Sequence, residues 1–165
     1  MQFEGKSRQL TALAARPLLE LLDCPPESGK VLADSSKSIQ LDSGQVVFRQ
    51  GEPSKGLYVV VSGQFQRRTE RMHTRLVLGP ARAGELVELA AALAYGGHNY
   101  TLSAITPGSL LLLPIHALQL AFEAHPPLRM HLLEELAREV SRAYLICCQN
   151  RAVSRRRGGK EAATD

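Results

Sequence analysis

The chain of 165 residues contains no tryptophan, four tyrosines, four phenylalanines and only three cysteines. Cys24, Cys147 and Cys148 are too few for a disulfide framework, and the adjacent pair lacks the two-residue gap that zinc sites favour. All three are expected as small buried hydrophobes. No long hydrophobic run is present, and the apolar stretch Leu110 to Ile115 is far too short to span a bilayer. The opening residues, MQFEGKSRQL, hold no apolar signal core, so a cytoplasmic protein without membrane attachment is expected. Five histidines (His73, His98, His116, His125 and His131) are dispersed without metal-ligand spacing. No nucleophile motif occurs. Glu85 and Glu88 are the nearest approach to a carboxylate pair, and three residues apart on a first helical turn they favour the helix dipole without any catalysis. Neither a metal site nor an enzyme is expected.

The composition, 44% hydrophobic and 22% charged, suits one ordinary domain with a core large enough to fold alone. The net charge of +4 is unevenly placed. Residues 151–165 hold five basic and two acidic groups, which leaves 15 basic and 14 acidic groups for the other 150. The body is therefore no basic nucleic-acid surface, and residues 151–165 read as a basic, disordered tail.

Periodicity divides the rest. Residues 1–36 form an N-terminal helical segment, with apolar residues at helical spacing from Ser7 to Leu22, a break at Pro17, and a short helix from Pro26 using Val31, Leu32 and Ala33. Residues 37–114 are a series of about eight short strands with turn residues between them, which predicts an antiparallel sandwich or barrel. Within it Gln64–Thr69 alternates, through Phe65 and Arg67, and is expected as a solvent-edged strand. Arg71-Met72-His73 is expected at a hairpin tip. Residues 115–150 are helical: Ile115–Ala124, then a break at His125-Pro126-Pro127, then a helix from about Leu128 to Asn150. Its apolar positions Leu133, Leu136, Val140, Ala143 and Cys147 are spaced 3, 4, 3, 4, a heptad seam that Tyr144 widens. A face that broad predicts a homodimer joined along these six residues, against the plainer option that it packs on its own domain.

The stretch from Gly79 to Ala104 interrupts the strands. It opens as a turn at Gly79-Pro80, reaches Gly84-Glu85, and continues as an apolar helical run from Leu86 to Tyr95 that Gly96-Gly97 stops. A glycine turn leading into a helix leaves backbone N–H groups directed outward, an arrangement that attracts anions. Two readings stand side by side: an anion-binding cassette, or a plug for one end of the core.

Gly44-Gln45-Val46-Val47-Phe48-Arg49-Gln50-Gly51-Glu52-Pro53, then Gly56-Leu57-Tyr58-Val59-Val60-Val61-Ser62-Gly63, resembles the effector domain of the cyclic AMP receptor / fumarate–nitrate regulator family. The spacing on to Gly84-Glu85-Leu86 and Leu111-Leu112-Leu113-Pro114 fits the same pattern. The resemblance covers roughly residues 18 to 150. It implies a mainly β fold with flanking helices: a double-stranded β-helix (jelly-roll) barrel with a long C-terminal dimerisation helix. It also implies that residues 79–104 are a phosphate-binding cassette. In that family the glutamate matching Glu85 accepts a hydrogen bond from a ribose hydroxyl, which suits an acceptor-only carboxylate. Amides near Leu86 and Val87 would cap the cyclic phosphate.

The cassette departs from the pattern just before its second strand. Nucleotide-binding members carry an arginine there, followed by small residues, whereas this chain reads His98-Asn99-Tyr100 and has no arginine between Gly84 and Arg129. Loss of one charge-assisted phosphate contact in a concave site costs about 2–5 kcal/mol. The family's haem and iron–sulfur sensors are not matched, because no cysteine lies near the cassette and no N-terminal cysteine cluster is present. No recognition helix is expected after the dimer helix, and Arg155-Arg156-Arg157 cannot replace one, since phosphate contacts carry no base readout. The resemblance thus implies a non-enzymatic sensor domain in signal transduction and transcription regulation. It would hold a small anionic effector through Gly84, Glu85, Leu86, Val87, His98, Asn99 and Tyr100. Cyclic AMP or cyclic GMP is the candidate effector, weakened by the missing arginine. The alternative is a protein-interaction module with a vestigial pocket.

Overall fold

The computed structural model describes residues 20–71, 74–94 and 96–161. The first helical segment up to residue 19, most of the hairpin tip with His73, and Tyr95 lie outside the described residues. The chain divides into two units, Met1–His131 and Leu132–Asp165.

The described part of the first unit opens with residues 20–22 in helix, followed by α1 (Pro26–Ser35), where Pro26 occupies the position that tolerates a missing N–H. Its C-terminus is capped by Ser36, whose hydroxyl donates to the Ala33 carbonyl at 2.7 Å. Leu32 and Ala33 are buried while Val31 is exposed. Eight strands follow: β1 (Lys37–Leu41), β2 (Val46–Phe48), β3 (Gly56–Ser62), β4 (Gln64–Arg71), β5 (Thr74–Arg82), β6 (Leu86–Val87), β7 (Thr101–Ala104) and β8 (Gly108–Pro114). They form two four-stranded antiparallel sheets, ordered β1-β8-β3-β6 and β2-β7-β4-β5, a jelly-roll sandwich. This is the mainly β architecture expected from the spacing of the turns. Between the sheets lies a core that includes Phe48, Tyr58, Phe65, Tyr100 and Leu102. β3 and β8 are apolar in continuous runs because both of their faces are covered. The outer face of β8 lies under α1 and α3 (Ile115–Ala124), which also pack on each other.

Three local expectations change. β4 is a central strand, bonded to β7 on one side and β5 on the other, and not a solvent edge. Gly79-Pro80 is no turn, because β5 runs through it to Arg82. Between Gln66↔Pro80 and Arg68↔Val77 the ladder spends two residues on β4 and three on β5, a β-bulge. Gly79 supplies the left-handed φ of +93° found at this bulge. Pro80 is tolerated because β5 is an edge strand. Finally, the helix expected from Leu86 starts later. Leu86 and Val87 form β6 and pair with Val59 and Tyr58 of β3. Only Leu89–Ala94 is helical, as α2. Cross-strand pairing with β3 outweighs the helical spacing of this short apolar run.

The last helix, α4, runs Pro126–Glu161. It passes Asn150 and continues through most of the segment expected to be a disordered tail. No proline interrupts residues 128–161, and Arg155-Arg156-Arg157 are good helix formers, so nothing stops the helix before Gly158-Gly159. Among its described side chains Leu133, Val140, Tyr144 and Leu145 are exposed and Leu136 is half-buried. The side chains of Ala143 and Cys147 lie outside the described residues. Glu134 and Glu135 both pair with Arg138 on this helix.

Candidate functional site

The cassette residues separate into an inner group and an outer group. His98 belongs to the inner one. Its backbone is held on both sides by the loop after β2: its N–H donates to the Glu52 carbonyl at 2.8 Å, and its carbonyl accepts from Gly51 N–H at 2.8 Å. Ser54 N–H donates to the Gly96 carbonyl alongside at 3.0 Å. The His98 ring is thereby pressed into the core, stacked on Phe48 with ring centroids 3.7 Å apart. Its Nδ1–H donates to Glu88 Oε2 at 3.0 Å, with both side chains essentially out of solvent.

Glu88 reaches that position through an uncommon backbone conformation. Its φ is +71°, a left-handed value that costs a non-glycine residue roughly 1 kcal/mol or more. The kink separates β6 from α2 and turns the carboxylate inward. The Glu88 N–H donates to the Tyr100 hydroxyl at 3.2 Å, which ties the start of α2 to the residue preceding β7. Tyr100 is buried, as is its neighbour Phe48. Glu85 and Glu88 thus point to different places, contrary to the shared helical turn expected from their spacing, because no helix joins them.

The outer group centres on Glu85. Gly84 N–H donates to the Val60 carbonyl at 2.8 Å, and Val60 N–H donates back to the Glu85 carbonyl at 3.0 Å. Glu85 N–H donates to Arg82 at 3.0 Å. These amides are therefore occupied. The Glu85 side chain remains 44% exposed, and Arg67 Nη2 donates to its Oε2 at 3.1 Å. Arg67 comes from β4, opposite Leu102 of β7, which is fully buried. Directly paired residues share a face, so Arg67 projects from the inner face of its sheet. Its side chain is only 14% exposed. The ion pair spans from one sheet to the turn that precedes β6 in the other.

Of the seven cassette residues picked from sequence, Gly84 and Glu85 lie together at the accessible end. Leu86 is half-buried and Val87 fully buried in β6, paired with β3, so neither belongs to the helix opening that was expected. Asn99 is exposed, and its carbonyl accepts a 3.5 Å hydrogen bond from Thr69. His98 and Tyr100 are core residues. Arg67 was missed as a site residue. The available signal was its parity with Phe65, two positions earlier on the same strand.

Burial, then the charges of Glu88 and Glu52, push the Tyr58 phenol up to about 12. The hydroxyl keeps its proton at any ordinary pH. Cys24 is half-buried and its thiol is pushed up by burial and then by Asp23, whereas Cys148 is exposed, contrary to the buried role expected for all three cysteines. Among the described residues, no group of three or more His, Cys, Asp or Glu side chains could hold a metal ion, and no helix is long and apolar enough to cross a membrane.

Residues 38–125 match the family model described as cyclic nucleotide-binding domain. The chain belongs to the cyclic nucleotide-binding domain family. The match takes in the eight strands, but for Lys37 at the start of β1, with α2 and α3. Solved structures of the same fold include the catabolite activator protein of Thermus thermophilus, at 22% identity and a TM-score of 0.69. That comparison covers 81% of this chain and 62% of the Thermus chain, so this chain spans less than two thirds of that regulator. The sensor domain of the transcriptional regulator DNR from Pseudomonas aeruginosa is similar at 24% identity and a TM-score of 0.66, over 76% of this chain and 91% of that one. A cyclic nucleotide-binding domain from Methylobacillus flagellatus gives 14% identity and a TM-score of 0.73, over 83% and 84% of the two chains. No curated protein matches the sequence. Within this family, the chain places His98 and Tyr100 in its core and keeps Glu85 accessible.

Proposed function

We propose that this chain is a non-enzymatic regulatory sensor domain that binds a small anionic effector at the Gly84–Glu85 turn and signals as a homodimer through α4. The observation that carries the proposal is the accessible Glu85 carboxylate, fixed by its backbone to Val60 and by its side chain to Arg67 at the accessible end of the sandwich. A carboxylate offers only acceptors, so it suits a ligand hydroxyl. Family membership and similarity to a catabolite activator protein and to the sensor domain of a transcriptional regulator support a regulatory role in place of catalysis. The exposed Leu133, Val140, Tyr144 and Leu145 supply an apolar helix face of the kind that a second copy covers.

A second reading has its own observation. His98 and Tyr100 fill the interior where the family resemblance implied effector contacts, which favours a protein-interaction module whose pocket is vestigial. Thermal unfolding with millimolar cyclic AMP and cyclic GMP, repeated on Glu85→Ala, separates the two. A ligand at 100 times its Kd stabilises the native state by about 2.7 kcal/mol, a shift of several degrees. A shift that the variant loses supports the sensor. No shift with either nucleotide, with calorimetric titration also flat, favours the interaction module.

A further inference from the structure

The guanidinium of Arg67 is an expensive group to place on the inner face of a central strand. Arginine has five donor hydrogens and stays charged at all relevant pH values. Here one contact to Glu85 Oε2 is its ion pair, and its buried Nε has no hydrogen-bond partner among the described residues. The pairing is single, where guanidinium and carboxylate can bond through two parallel contacts. An internal cation left under-satisfied in this way has capacity for a further acceptor. Solvent reaches the pair from the Glu85 side, since Glu85 is the more exposed partner.

We propose that Arg67, contributed by β4 and not by the cassette, is the cation that anchors an oxyanion of the effector. This inference rests on the sensor reading given above. Glu85 neutralises Arg67 in the empty domain. The effector's phosphate or carboxylate then takes the guanidinium, and Glu85 is released to accept from an adjacent ligand hydroxyl. The charge that residues 98–100 lack is thereby supplied from across the sandwich, and the ligand class is a small hydroxylated oxyanion. Glu85 is then a competitor toward a bare anion and a partner toward a hydroxylated one, so its substitution has opposite effects on the two.

The test follows the Arg67 Nε–H signal by proton–nitrogen correlation spectroscopy in the full chain, assigned by its loss in Arg67→Gln. Inorganic phosphate and acetate are titrated separately at constant ionic strength, and cyclic AMP and cyclic GMP are titrated in parallel. The expected result is a saturable shift of the Nε–H signal with at least one oxyanion, phosphate or acetate naming the preferred group. Arg67→Gln weakens that oxyanion's binding about tenfold or more, followed by calorimetry, and Arg67→Lys falls between, having charge without the fork. Glu85→Gln binds the bare oxyanion more tightly than the wild type. An Nε–H signal that moves with neither oxyanion overturns the inference, and so does an Arg67→Gln protein that binds as the wild type does. Cyclic nucleotides that stabilise wild type and Arg67→Gln equally, with loss in Glu85→Ala, leave the sensor reading intact and remove Arg67 from it. If no probe acts on the wild type, both readings fall. Should Arg67→Gln fail to fold, the wild-type titration and Arg67→Lys decide.

Discussion

His98 lies nearly parallel to Phe48, with 11° between the ring planes, while its Nδ1 bonds Glu88. The two contacts make the end of the cassette a part of the core. Through His98 and Tyr100 this segment holds the loop after β2, α2 and the start of β7 together.

Removal of the carboxylate should therefore act on folding. Glu88→Ala leaves His98 buried without its partner, at an expected cost of about 2–3 kcal/mol. Glu88→Gln, which keeps an acceptor oxygen, should cost less. Urea unfolding with an unchanged m-value checks this, and a Glu88→Ala midpoint equal to wild type would show the pair to be energetically idle.

Tyr58 gives a pH dependence. Its phenol ionises near 10 when unfolded and at about 12 in the folded domain. Below pH 10 both states are protonated and the burial carries no penalty. From pH 10 to 12 the unfolded state releases its proton first, so stability falls as pH rises through that window. The check is denaturant unfolding at pH 9, 10 and 11 on wild type and Tyr58→Phe. The decline above pH 10 should be smaller in the variant.

The apolar face of α4 predicts association. Val140 is 60% and Tyr144 69% exposed in the single chain. Val140→Glu places a charge on that face and should weaken a homodimer about tenfold or more, since a buried unpaired charge is costly. Light scattering coupled to size exclusion reads the mass directly. A wild-type monomer at about 100 μM would remove the dimer from the proposed function.

The cysteines should differ toward a thiol reagent. Cys148 is exposed, whereas Cys24 is half-buried with its thiol pushed up by burial and Asp23. At pH 8 Cys148 should modify promptly and Cys24 slowly, since the thiolate is the reacting form. Mass spectrometry of digested, timed samples assigns each site. Faster reaction of Cys24 would contradict its described surroundings.

Much of the architecture was legible in the sequence. Seven of the eight strands, α1, α3 and the start of α4 follow from alternation, β-branched runs, helical spacing and turn residues, because those signals are local. The failures around the cassette depend on contacts distant in sequence. Leu86 and Val87 carry apolar spacing that suits either a helix or a strand, and only β3 decides between them. Arg67 was noted in an alternating strand, yet alternation does not say which face is inside. Its partner Leu102 lies 35 positions away and settles the matter. Glu88 in a left-handed conformation has no sequence signal, since glycine is the residue that announces such a bend.

The extra residue in β5 at the Gly79 bulge acts as a reading-frame correction. It restores the parity that puts Ala81 in the core after Thr74–Val77 has paired with β4. A one-residue deletion at Leu78 or Gly79 would invert the faces of Pro80, Ala81 and Arg82, and would shorten the tether that brings Glu85 to Arg67. Chain length between Val77 and Gly84 is consequently as much a determinant of the site as the identity of the two charged residues.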